Sequence, residues 1–229
     1  MRSVIIRIAV FCISFLLISE QMTVSAQEND AALWTGIQLE KGIGIKSSLS
    51  IEQGYRRYEN LTRLDKIFSE IGYTYRINKY FRAGLYYRFV REQKLDFNFS
   101  TRHRLVAEFS SYYKKKKWRF SSRIRYQRKY IDVYSSSEGS IPLNQMRYKF
   151  SVRRKIKGIP VRVTGGLEIF QKINKNEKKE IEKLRYILKL QYKIDKTNTA
   201  ELFYLIQPEV NQNNPVTSYI IGISYSISL

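Results

Sequence analysis

From residue 81 to the end of the chain, apolar and polar side chains change places almost one by one. That period of two dictates extended strands with two unlike faces. Phe81, Ala83, Leu85, Tyr87 and Phe89 alternate with Arg82, Gly84, Tyr86 and Arg88. Trp118, Phe120, Ser122, Ile124 and Tyr126 alternate with Arg119, Ser121, Arg123, Arg125 and Gln127. The same rhythm runs through 104–110, 146–153, 161–169 and 184–194, and ends in Tyr219, Ile221, Ile223, Tyr225, Ile227 and Leu229. Residues 175–189 are rich in Lys and Glu and offer a helical spacing, but six alternate apolar positions from Leu184 to Ile194 favour a strand.

The first 26 residues read as an export leader. Arg2 and Arg7 precede an apolar run from Ile8 to Ile18, and Val24-Ser25-Ala26 supplies small residues for cleavage after Ala26. The run is shorter than the roughly 20 apolar residues that a spanning helix needs. With the leader goes Cys12, the one cysteine, so the remaining chain, 27–229, has no disulfide and no thiolate metal site.

Two features separate a membrane barrel from a soluble one, since both alternate. The chain carries 18 Tyr, 12 Phe and 2 Trp beside 41 Lys and Arg, for a formal charge of +21. An apolar face of that bulk overfills a small closed core but fits against lipid. Aromatic residues also gather beside the short connections, at Tyr75, Phe81, Tyr113, Trp118 and Tyr192, as interfacial girdles require. Short connections (41–44, 78–80, 114–117, 156–159, 195–198) take turns with longer polar ones (59–62, 93–101, 135–142, 174–180, 208–215), the pattern of periplasmic turns and outer loops.

The expected fold is therefore all-β: an antiparallel transmembrane β-barrel in the bacterial outer membrane. The competing architecture is a soluble periplasmic barrel or sandwich. Eleven runs can be read, including a first hairpin over 33–41 and 45–58. Because single-chain bacterial barrels use even numbers, ten strands is the expectation and twelve the second choice.

The chain resembles the uncharacterised outer-membrane family labelled domain of unknown function 2490. The resemblance rests on Leu33-Trp34, Gly54-Tyr55-Arg56, Tyr75 to Phe81, Arg102-His103-Arg104-Leu105, Lys183 to Tyr186 and the closing Ile221 to Tyr225. It implies a barrel without an assigned activity.

Candidate chemistry lies on the inward parity. Arg82, Arg88, Arg102, Arg104, Arg119, Arg123, Arg125, Arg147, Lys149, Arg153, Arg162, Arg185 and Lys189 share it with the carboxylates Glu70, Glu108, Glu168 and Glu201. One reading is a lumen filled by Arg–Glu pairs with Tyr86 or Tyr112, serving a structural or binding role. The alternative is a narrow anion-selective pore for small anionic solutes. A lipid-modifying enzyme rests only on His103, which has apolar-face parity and no serine two residues away. No cofactor is expected, because one His and no Cys give no metal-ligand cluster. Nucleic acid is excluded as a partner by export and by the separation of rings from cations. Membrane lipid, the barrel-assembly machinery and small anions are the expected partners.

Overall fold

In the computed structural model, the described residues are 28–94, 96–131, 142–173 and 180–229. The expected leader and the greater parts of the connections at 135–142 and 174–180 lie outside them. Eleven strands run in chain order: β1 (Glu28–Gly42), β2 (Ser47–Tyr58), β3 (Arg63–Arg76), β4 (Phe81–Gln93), β5 (Phe99–Lys115), β6 (Trp118–Ile131), β7 (Leu143–Lys155), β8 (Val161–Lys172), β9 (Ile181–Lys193), β10 (Asn198–Pro208) and β11 (Val216–Ser228). Each pairs antiparallel with its sequence neighbour, and β1 closes the cylinder against β11. No edge is left with unpaired backbone groups, the condition for strands in hydrocarbon.

The count of eleven corrects the expectation of ten or twelve. An even number follows only when every pair, including the closing one, is antiparallel. Here β1 and β11 are parallel, from Glu28 opposite Val216 to Glu40 opposite Ser228. The first hairpin was legible as two strands, and β1 is part of the wall from Glu28 onward. Asp30 Oδ1 accepts from the Asn60 amide (3.0 Å), tying the start of β1 to the β2–β3 connection. At the other end, Leu229 donates its amide to Glu40 O (2.8 Å) and accepts from the Gly42 amide (3.0 Å).

Connections sort by end. β1–β2, β3–β4, β5–β6, β7–β8 and β9–β10 turn at the end that also holds Leu229; the tightest is Lys116-Lys117, with Lys116 at φ 53°. In the β9–β10 turn, the Asp195 carboxylate accepts from the Asn198 side chain (2.7 Å), the Asn198 and Thr197 amides (2.7 Å each) and the Thr197 hydroxyl (2.9 Å). These bonds hold it well below the usual carboxylate range. At the opposite end, the β2–β3 connection is only 59–62, no longer than a turn, and the others are longer.

The apolar parity faces out. Leu85, Ile223 and Tyr192 are more than half exposed, and all five expected girdle aromatics beside the short turns are exposed. The exterior is thus lipid-like and the interior charged, the reverse of a soluble barrel. The inward side is not purely polar, however. Ala32, Ile187, Leu205 and Ile220 form a buried patch across β1, β9, β10 and β11, with Trp34 and Phe203 against it.

Candidate functional site: a cross-braced basic lumen

Strand parity sends one side chain in two inward, so each strand delivers charges at fixed heights. β6 and β7 place like charges directly opposite one another: Arg119 with Arg153, Arg123 with Lys149, Arg125 with Arg147. Such pairs repel unless anions intervene. Two glutamates do so at mid-lumen. Glu168 of β8 is 1% exposed and binds three arginines from three strands: Arg123 of β6 (2.7 Å), Arg147 of β7 (2.8 Å) and Arg185 of β9 (3.2 Å). Glu108 of β5 accepts from Arg125 Nε (2.8 Å) and lies 3.7 Å from Arg123, which therefore bridges the two carboxylates. On the opposite arc, Arg88 of β4 is held by Glu70 of β3 (2.6 Å) and Glu52 of β2 (3.4 Å).

Aromatic rings carry the bracing across the bore. Arg56 of β2 stacks on Trp34 of β1, its guanidinium carbon 3.8 Å from a ring centroid, while Arg185 reaches the same indole from β9 at 5.1 Å. Arg185 and Arg147 share Phe170 (4.7 and 4.5 Å), and Arg56 and Arg88 share Phe68 (5.0 and 3.9 Å). Guanidinium planes gain attraction from ring faces while remaining desolvated. An unbroken chain of contacts thus links Arg88 on β4 to Glu168 on β8 by way of Trp34.

The remaining inward residues read from the sequence also have definite places. Arg102 pairs with Glu92 (2.8 Å), Lys189 with Glu201, and Arg153 donates to Thr164 Oγ1 (3.2 Å). Arg82 and Arg119 lie over Tyr112 at 5.1 and 4.3 Å. Arg104, Lys149 and Arg162 make no ion pair among the described residues. Tyr86 packs inside, as expected, over Gly72 and Gly84. Sequence reasoning missed Trp34, Glu52, Arg56, Lys66, Phe68, Glu92, Lys129, Phe170 and Phe203 as lumen residues. The apolar ones violate the simple rule of grease outward. The signal available for Phe68 and Phe203 was a glycine on a neighbouring strand, but it needs the register to be recognised.

A cavity of about 710 Å³ runs along the lumen past Glu168, with Arg104, Lys129 and Arg56 lining it toward the loop end, Lys149 at mid-height, and Glu201 and Ser226 toward the turn end. No group of metal-ligating side chains occurs among the described residues. His103 faces outward, its Nδ1 2.7 Å from the Tyr87 hydroxyl and its ring edge-on to Phe89. Two serines of the neighbouring strand β6 are engaged elsewhere: Ser122 with Ser111 and Ser121 with Ser151, each at 2.8 Å.

Comparison with known proteins adds a family. Residues 31–218 match the family model described as protein of unknown function, DUF2490. Among curated proteins none matches. A solved structure with a similar outline is the β-domain of the Bordetella autotransporter Brka, at 9% identity and a TM-score of 0.45, over 76% of this chain and 78% of that one.

Proposed function

Since the chain belongs to the DUF2490 family of proteins of unknown function, we propose its role from the barrel itself: an outer-membrane protein whose basic lumen is filled and closed to through-flow, acting in a structural or binding capacity. The observation that carries this reading is Glu168. A carboxylate 1% exposed, gripped by arginines from β6, β7 and β9, ties four adjacent strands of the wall together at mid-height. Opening a path there means separating ion pairs in a desolvated setting, which is expensive.

Placement in the outer membrane is supported by the exposed apolar exterior and by girdle aromatics at the turn end. Lipid and the barrel-assembly machinery are then its partners. The alternative, a narrow anion-selective channel, draws on the surplus of inward cations over carboxylates. The arginines already held by Glu168, Glu108 and Glu70 weigh against it. Planar-bilayer recording tests the choice: purified protein is expected to insert without steady conductance, and a reproducible anion-selective current overturns the closed-lumen reading.

A further inference from the structure

The geometry points to a phosphate-binding pocket in the loop-end part of the luminal cavity, built on Arg104 and Lys129, that takes a phosphate dianion or the phosphomonoester of a water-soluble solute. It deepens the binding role above and rests on that reading only in making the pocket a dead end.

Arg104 on β5 and Lys129 on β6 are direct cross-strand partners on the luminal face, and Arg88 is Arg104's partner on the other side. Three cations therefore stand in one row. Arg88 is neutralised by Glu70 and Glu52. Arg104 and Lys129 have no ion pair among the described residues, and Arg104 Nε is buried without a hydrogen-bond partner. The nearby carboxylates are committed: Glu92 to Arg102 and Lys66, Glu182 to Lys172 and the Gln145 amide. Two adjacent, largely desolvated cations without a counter-charge are unfavourable unless an anion joins them.

The space for that anion is present, because both side chains line the cavity of about 710 Å³. Chemistry selects its class. A guanidinium fork beside an ammonium offers two positive charges and a planar set of donors, which suits a dianionic phosphate better than a halide or a single carboxylate. Another uncompensated pair, Arg119 with Arg153 near the turn end, is arranged differently. Arg119 is stacked on Tyr112, Arg153 donates to Thr164, and neither lines the cavity. The pocket faces the lumen, so its ligand comes from water through the loop-end mouth and not from the lipid.

Calorimetric titration of the folded full-length barrel in detergent with inorganic phosphate tests this. Saturable binding is expected, with the dissociation constant raised about tenfold or more in R104Q/K129Q and unchanged in R119Q/R153Q. A second signature protects against a misfolded variant: without phosphate R104Q/K129Q melts at or above the wild-type temperature, and only the wild type gains from added phosphate. Absence of saturable binding by the wild type, equal binding by R104Q/K129Q, or equal loss in R119Q/R153Q overturns the pocket. Because binding is read in micelles, failure here is distinct from failure of the closed-lumen reading, which conductance reports.

Discussion

Phe203 and Gly222 are direct partners across β10 and β11, and the Phe203 ring fills the place where a side chain on residue 222 would begin. A Cβ there would stand 2.0 Å from the ring and 2.7 Å from the Trp34 carbonyl oxygen. Phe68 and Gly54 repeat the arrangement across β2 and β3, but there only ring atoms are in the way. Gly222→Ala is therefore expected to destabilise the barrel by about 1–3 kcal/mol, and Gly54→Ala by less, because a ring can move and a backbone carbonyl cannot. Urea unfolding of the two variants checks the order, which a larger loss at Gly54 would refute.

Glutamate 168 is the other structural pivot. Glu168→Gln keeps the shape and removes the charge, leaving Arg123, Arg147 and Arg185 to repel one another. The expected cost is about 3–5 kcal/mol, as for breaking a buried ion pair. Truncating the exposed Glu59, whose contact with Arg63 is 3.5 Å, is expected to cost about 1 kcal/mol at most. Comparable effects from the two changes would contradict a bracing role for Glu168.

Much of this architecture is legible in the sequence, and the limits are physical. Alternation fixed the inward parity of every arginine named from it, because a strand leaves a side chain only two directions. The five short turns, three of them flanked by Tyr75, Phe81, Tyr113, Trp118 and Tyr192, also followed from pattern alone. The strand count did not, because parity of number depends on how β1 meets β11, a pairing between opposite ends of the chain. Trp34, Phe68, Phe170 and Phe203 were missed because apolar residues on the inner face are indistinguishable by pattern from a lapse in alternation. Nor does one sequence reveal that Arg104 faces Lys129, since register is set by the closed sheet.

Parallel closure has a topological consequence. β1 starts at the loop end and β11 finishes at the turn end, so Glu28 and Leu229 lie at opposite ends of the cylinder. An epitope placed just before Glu28 is expected to be reached from the loop side and one after Leu229 from the turn side. Antibody or protease accessibility in intact and permeabilised cells reads this, and the same sidedness for both epitopes would exclude the parallel seam.

The β9–β10 turn gives a pH signature. Asp195 titrates below its unfolded value because Asn198 and Thr197 donate to its ionised form. A depressed folded value means the stabilisation is complete above the unfolded pKa of about 3.9 and fades as pH falls toward the lower folded value. The gap in urea midpoint between wild type and Asp195→Ala should be present at neutral pH and narrow progressively in acid below about pH 4. A gap independent of pH would show that the carboxylate charge contributes nothing.

Closure of the lumen is tested most directly by one-sided thiol labelling in oriented proteoliposomes. Cys12 is the only cysteine in the chain, so in a Cys12→Ser background a single new thiol reports alone. Lys129→Cys lies toward the loop end and Arg153→Cys toward the turn end of the bore. A water-soluble maleimide is expected to reach residue 129 only from the loop side and residue 153 only from the turn side. Labelling of both from a single side would contradict a closed lumen.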